Sequence, residues 1–353
     1  MNHTLRNFTG AILAISALFV QDTRAGVAQP SGIATITIPP NRTEFVGVPF
    51  ARPVEFFGTI TGASTSSGND TFTVSLDAGQ ASLPNLGAGT SNTDAWYVLE
   101  ILDGPAIGFL LPTSASSGNT SITVQGTTGS ISPVGSRFAI RKDWTLQTLF
   151  GSPSSAQTRD LFGYGNNSGA PTIKGWIQIY DSATASSTTY YLNESGTTTK
   201  TYSWRATSGP TVRNHARLSL GRGIVLVNRT ASDLTIPVSG EYRIARTRLS
   251  VPGNKITYLA NPGPNAVTFA DSTIPETSPT RMSGNSGSGD SYALWNSSNR
   301  AWTTYKIGGT AHSNGPSAYI GVSRVNPTIP AFRAVRVTPV GSNQTTITIA
   351  PAL

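Results

Sequence analysis

Cysteine is absent from all 353 residues. Its absence excludes disulfide bracing, thiol nucleophiles and thiolate metal sites together. Histidine is scarce: of three residues, His3 lies at the N-terminus, and His215 (RNHAR) and His312 (TAHSNG) sit among loop-forming neighbours. Imidazole catalysis and ligation therefore have little material, and a surface role is the default for both. Charged residues amount to 12%, about half the usual fraction. No Gly-x-Ser-x-Gly elbow is present, since GNSGSGDS (284–291) has Ser288 where the last glycine belongs. That stretch also lacks the lysine and helix of a phosphate loop. No Asp-x-Asp-x-Asp calcium pattern occurs. Neither a metal nor a cofactor is expected.

Helical periodicity is almost missing as well. In its place, short alternating runs bounded by Gly, Pro, Asn and Ser fill the chain. Examples are IATITI (33–38), VEFFGTI (54–60), TFTVSL (71–76), WYVLEIL (96–102), AIGFLL (106–111), SITVQG (121–126), RFAIRK (137–142) and GIVLVNR (223–229). This is the signature of an all-β fold with an uncharged polar surface. DWTLQTLFG (143–151) has room for one helical turn.

The N-terminus reads MNHTLRNFTGAILAISALFVQDTRAG. Arg6, a short apolar run from Thr9 to Val20, and a small residue at Ala25 or Ala28 give the layout of a secretory signal peptide. The run is shorter than the roughly 20 apolar residues of a membrane span. An exported chain results, placed outside the cell, at its surface or in the periplasm, with no transmembrane segment in the mature form. The net charge is +8, or +7 without residues 1–25. Arginines cluster at RNHAR (213–217) and RIARTR (243–248). For an exported protein the matching anionic partners are acidic polysaccharide or lipopolysaccharide; nucleic acid is not expected.

Internal similarity organises the chain. IPPNRTEFVGVP (38–49) aligns without gaps to VPGNKITYLANP (251–262), 213 positions on. IQIYDSATASSTTY (177–190) aligns to YALWNSSNRAWTTY (292–305), 115 positions on. LGRGIVLV (220–227) resembles IPAFRAVRV (329–337) more loosely. The offsets differ by 98 residues, which is close to the length of 52–150, a segment with about six strand-like runs of its own. The expected fold is all-β, with two related β-units forming a pseudo-repeat and a small β-barrel or sandwich inserted in the first. Its divisions are 1–25 signal peptide, 26–51 first segment of unit 1, 52–150 inserted domain, 151–240 remainder of unit 1, and 241–353 unit 2.

Pro252-Gly253-Asn254, Tyr258 and Pro262, then Trp295, Asn296, Trp302 and Tyr305, resemble the "GWNLISLP" strand and "WxYD…WxxY" hairpin of secreted bacterial and archaeal surface proteins. Leu220, Gly221, Gly223 and Ile224 resemble the "PGxGYWV" strand that follows them. With Trp144-Thr145-Leu146 and Leu149-Phe150-Gly151, the whole chain resembles a family of uncharacterised exported bacterial β-rich surface proteins sharing a "WTLxxLFG" segment. Pro40 or Gly253 replaces the tryptophan of "GWN", and no sorting tail follows TTITIAPAL. The resemblance implies an architecture and no activity.

Candidate chemistry is thin. A glycosidase needs two carboxyls facing each other across a sugar. Glu100 and Asp103 flank a strand end followed by a turn signal, and Asp143 stands beside Trp144. Aromatic rings are the one realistic binding feature, since flat rings on a sheet stack on sugars. In SYALWNSSNRAWTTY (291–305) a four-residue loop would set Trp295 opposite Trp302 and Tyr292 opposite Tyr305. Alternation then puts Tyr292, Leu294 and Tyr305 on one face and both tryptophans on the other. Trp302 has no aromatic counterpart in the first copy, where Ser187 stands. The candidate ligand-binding residues are Trp302, Trp295 and Arg300. The expected function is a non-catalytic structural or adhesive surface protein. The alternatives are an acidic-glycan binder acting through exposed Trp and Arg, a self-associating filament subunit completed by strand 33–38, and a polysaccharide-degrading enzyme.

Overall fold

A computed structural model describes residues 31–166, 173–243, 246–263, 265–269, 291–308, 317–320, 323–339 and 345–349. The expected signal peptide (1–25), His312 and residues 284–290 lie outside the described residues. The fold is all-β, with a small closed barrel set into the first half of a larger two-part body.

The first half opens with β1 (Ser31–Ile38) and β2 (Thr43–Gly47). The chain then departs into the barrel, which closes from β3 (Val54–Ser66), β4 (Asn69–Leu76), β5 (Tyr97–Ile101), β6 (Leu110–Ser117), β7 (Ser121–Val124) and β8 (Arg137–Lys142) in the order β3-β4-β7-β6-β5-β8. Alternation fills it: Phe72 and Val74 of β4, Ile122 and Val124 of β7, and Phe138 and Ile140 of β8 share one core with Ile60, Leu99 and Phe109. A register shift between Ile60 and Gly62 bends the long β3 so that the sheet can close. The β3–β4 turn, Ser67-Gly68, has positive φ at both residues, as a tight two-residue hairpin requires.

Strand β5 is buried along its whole length because it serves two bodies. Tyr97, Leu99 and Ile101 point into the barrel, whereas Val98 packs in the larger core. The sequence expectation placed 52–150 in the inserted segment; the closed barrel occupies Val54–Lys142. Beyond it, β9 (Trp144–Thr145) pairs with β14 (Arg217–Leu218), and Leu146, Leu149 and Phe150 of helix α1 (Leu146–Phe150) pack in the larger core.

Helix α2 (Ala156–Phe162) leads into β10 (Gly165–Asn166), β11 (Gly175–Asp181), β12 (Ser186–Ser195), β13 (Thr201–Ala206), β15 (Gly223–Asn228) and β16 (Leu234–Glu241). The main sheet runs β10-β12-β11-β15-β2, with β13 also on β12, and β1 pairs with β16. That pairing engages all eight residues of β1, from Ser31 opposite Glu241 to Ile38 opposite Leu234. The strand proposed to complete a neighbouring molecule's sheet is thus already paired within its own chain.

The second half contains β17 (Thr247–Val251), β18 (Thr257–Ala260), β19 (Val267–Thr268), β20 (Ser291–Asn296), β21 (Ala301–Gly308), β22 (Ser317–Ile320), β23 (Ser323–Val325), β24 (Thr328–Ile329), β25 (Ala334–Thr338) and β26 (Thr345–Ile349). Its sheet runs β18-β25-β20-β21-β22-β23, and β17 pairs with β26. The succession β18-β25-β20-β21 corresponds to β2-β15-β11-β12 of the first half. Register corresponds too: Phe45 faces Val225 as Tyr258 faces Arg336, and Ile177 faces Leu226 and Tyr190 as Tyr292 faces Val337 and Tyr305. Turn conformations match, with positive φ at Asn41 and Asn254, at Ala185 and Arg300, and at Gly221 and Phe332.

The halves meet back to back through corresponding positions. Gly47 N–H donates to Phe332 O at 2.8 Å, and Ala260 N–H donates to Gly221 O at 2.9 Å. A Cβ on Gly47 would lie 2.3 Å from Ala260 Cβ, so only glycine allows this approach. The hairpin turn of β11–β12 offers a test of the backbone. Ala185 is exposed and held at φ 54°. Ala185→Gly is expected to stabilise the chain by about 0.5–1 kcal/mol, the left-handed cost of alanine less the unfolded-state entropy of glycine. Thermal melting of the two proteins checks it.

Candidate binding site at the seam between the two halves

The hairpin β20–β21 folds as its spacing suggests. Asn296 Oδ1 accepts from Ser298 N–H (2.9 Å) and Asn299 N–H (3.3 Å), and Arg300 takes the positive φ that closes the loop. Trp295 then stands opposite Trp302, and Tyr292 opposite Tyr305. One face is core: Tyr292 is fully buried, and Phe269 packs edge-on against Tyr292 and Tyr305 at 5.8 and 5.7 Å.

The other face brings Trp295, Trp302 and Arg300 to the seam. Phe45 of β2 lies 5.2 Å from Trp295 and 4.5 Å from Trp302. Trp295 Nε1 donates to Thr43 O at 2.7 Å, and Arg300 Nη2 donates to Asn41 O at 3.0 Å. Both indoles are half-buried and meet at 61°, so they do not present one flat surface. The Arg336 guanidinium covers Trp302 at 4.6 Å, and Tyr258 stacks beside it at 6.0 Å. All three residues fasten the hairpin to the first half. Phe45, Tyr258 and Arg336 complete the cluster. The alignment of 38–49 with 251–262 pairs the first two of these as its shared aromatic, a signal that could have marked them.

The candidate carboxylates are committed elsewhere, Glu100 and Asp143 at the joint between barrel and body and Asp103 in a barrel turn. Glu100 Oε2 accepts from Arg141 Nε at 2.8 Å, and Glu100 Oε1 from Arg243 Nε at 3.0 Å. Glu100 and Arg141 are each 1% exposed. Arg141 Nη1 also reaches Glu241 (2.5 Å) and the carbonyl of Arg52 (2.7 Å), and Arg243 contacts Thr247 Oγ1. Burial would push the Glu100 carboxyl up, but the guanidiniums of Arg243 and Arg141 outweigh it and hold the group below its ordinary value. Asp143 accepts from Arg217 Nε (2.7 Å) and Leu220 N–H (3.0 Å), and Asp103 accepts from Arg137 N–H at 2.6 Å in its turn. The arginine clusters serve the same joint: Arg213 reaches Ser91, Arg217 stacks on Trp96, and Arg248 stacks on Phe109. His215 contributes backbone, its N–H donating to Ser91 O and its carbonyl accepting from Trp96 Nε1 at 2.8 Å. No cluster of three or more His, Cys, Asp or Glu suited to a metal occurs among the described residues.

Two clefts flank the seam. The smaller, about 380 Å³, is lined by Glu44, Phe45, Trp295, Asn296 and Arg333 among others. The larger, about 760 Å³, lies where the barrel meets both halves, between Asn69 and Gln125, Tyr180 and Asp181, and Arg222, Lys255 and Tyr258. Tyr180 and Tyr258 meet edge-on at 5.2 Å in its wall. Both clefts are lined by polar as well as aromatic side chains. No protein family and no curated protein matches this chain.

Proposed function

We propose that this is a non-catalytic, exported structural or adhesive β-protein that holds three bodies in fixed relation and presents their polar faces outward. The observation that carries this reading is the joint. The buried Glu100–Arg141–Arg243 group ties the barrel to both halves, and Glu100 and Asp143, two of the candidate hydrolytic carboxylates, are bound there to arginines. Lids and loops built for turnover are movable, whereas at this joint separating the buried charges would strand them, which fixes the barrel against the body.

Retention on surfaces is the direct test. Immobilised chain is expected to retain acidic polysaccharide or whole bacterial cells at low ionic strength, to release them as salt is raised, and to generate no new reducing ends over days. Failure to retain either would sink the adhesive part, and steady release of reducing ends would sink the non-catalytic part.

A further inference from the structure

The two clefts occupy corresponding places in the two halves, which makes each a control for the other. Arg333 bridges to Val46 and Arg222 to Leu259, so the two arginines correspond. Their neighbours differ. In β2, Glu44 stands opposite Leu226, and in β18 the residue opposite the corresponding Val337 is Thr257. Arg333 Nη1 therefore has a carboxylate at 2.7 Å, that of the buried Glu44. Arg222 has a shorter, uncharged threonine in that place.

The consequence is an unsatisfied cation in a cleft wall. Arg222 is half-buried and its Nη2 donates to Ser250 O at 2.7 Å. Its Nη1, Ser250 Oγ and Thr257 Oγ1 are all buried without a hydrogen-bond partner. Buried polar groups are rarely left so, and three on residues that line one cleft, a guanidinium nitrogen among them, point to a polar partner that the fold does not supply. Burial pushes the guanidinium down to about 10, which still leaves it charged at neutral pH. Lys255 adds a second cation to the cleft, while Asp181 is turned to its own loop, accepting from Ala183 N–H (2.8 Å) and Thr184 Oγ1 (2.9 Å).

We propose that the larger cleft is a carboxylate-binding site, with Arg222 as the anchoring cation in the role that Glu44 makes unnecessary for Arg333, and that its ligand is a uronic-acid sugar. The carboxylate takes the position that corresponds to that of Glu44. The sugar hydroxyls face the polar lining of Asn69, Gln125 and Ser182, while Tyr180 and Tyr258, which meet edge-on, bound the cleft without offering one flat stacking surface. The site goes beyond the scaffold role and stands without it.

Ligand-observed NMR titration of the full mature chain tests it, using D-galacturonate, D-galactose and inorganic phosphate. Galacturonate is expected to bind at one site, with galactose and phosphate at least tenfold weaker. Thr257→Glu, which copies the arrangement at Arg333, is expected to lose at least tenfold in galacturonate affinity while its melting temperature holds or rises. Arg222→Gln is expected to lose binding as well, and Glu44→Thr to open a second site. Equal binding of galactose, equal competition by phosphate, or unchanged binding in a folded Thr257→Glu protein would each overturn the proposal.

Discussion

Glu100→Ala is expected to destabilise the protein by about 3–5 kcal/mol, the usual cost of removing one partner from a buried ion group. The side chain is 1% exposed and, among the described residues, is the one carboxylate shared by Arg141 and Arg243, which are 1% and 5% exposed. Alanine leaves two guanidiniums facing each other without water; Glu241 compensates only Arg141. Replacing Glu100, Arg141 and Arg243 together by apolar residues of similar size is expected to recover part of the loss, because desolvation of those three charges disappears while Glu241 loses its Arg141 partner. Urea unfolding of the two variants separates lost attraction from stranded charge. The same group sets an acid limit. Its folded-state pKa is depressed, so the stability it contributes is complete above the ordinary glutamate value and is lost as pH falls below that value through the folded one. A stability profile on the acid side should therefore be flatter in the apolar triple variant.

Trp204→Ala is expected to cost a further class of stability, again about 3–5 kcal/mol, through a cavity. Trp204 is fully buried on β13, where α1 and α2 cover it, with Phe162 edge-on at 5.1 Å and Phe150 at 6.3 Å. Its backbone is fixed on both sides, the N–H donating to Asn214 Oδ1 (2.8 Å) and the carbonyl accepting from Arg213 N–H (2.7 Å), so the strand cannot shift to fill the space. Its indole N–H is buried without a partner. Trp204→Phe should accordingly cost much less than Trp204→Ala, since it removes an unsatisfied donor along with part of the volume. Chemical denaturation of both variants checks the order, and equal losses would mean that the cavity is not the cause.

Much of the architecture can be read along the chain because β-alternation is local. IATITI and TFTVSL each bury one row of side chains and leave the other toward solvent, and each is a strand; RFAIRK is a strand as well, but it is buried on both faces from Phe138 to Arg141. The register of Trp295 with Trp302 follows from the loop length alone. What resists reading is whatever depends on distant partners. Arg243 looks like a surface cation in RIARTR until Glu100, 143 positions away, is brought beside it. Trp295 and Trp302 look like a free platform until Phe45 of β2 is placed against them. WYVLEIL gives no sign that β5 is shared by two cores, because burial on both faces erases the alternation that would tell them apart. Arg222 and Arg333 are indistinguishable as letters, and only the register opposite Thr257 and Glu44 separates them.

The pairing of β1 with β16 carries a consequence for how the chain comes into being. The six barrel strands lie within residues 54–142 and can close as soon as that stretch is made, whereas β1 precedes them in the chain and waits for residues 234–241. Local contacts form early and distant ones late. Refolding should thus begin with a fast phase in which the barrel closes and end with a slower one in which β1 finds its partner. Through that interval an unpaired, alternating edge travels with the nascent protein, and such a chain has reason to be held by a chaperone until residue 241 has emerged.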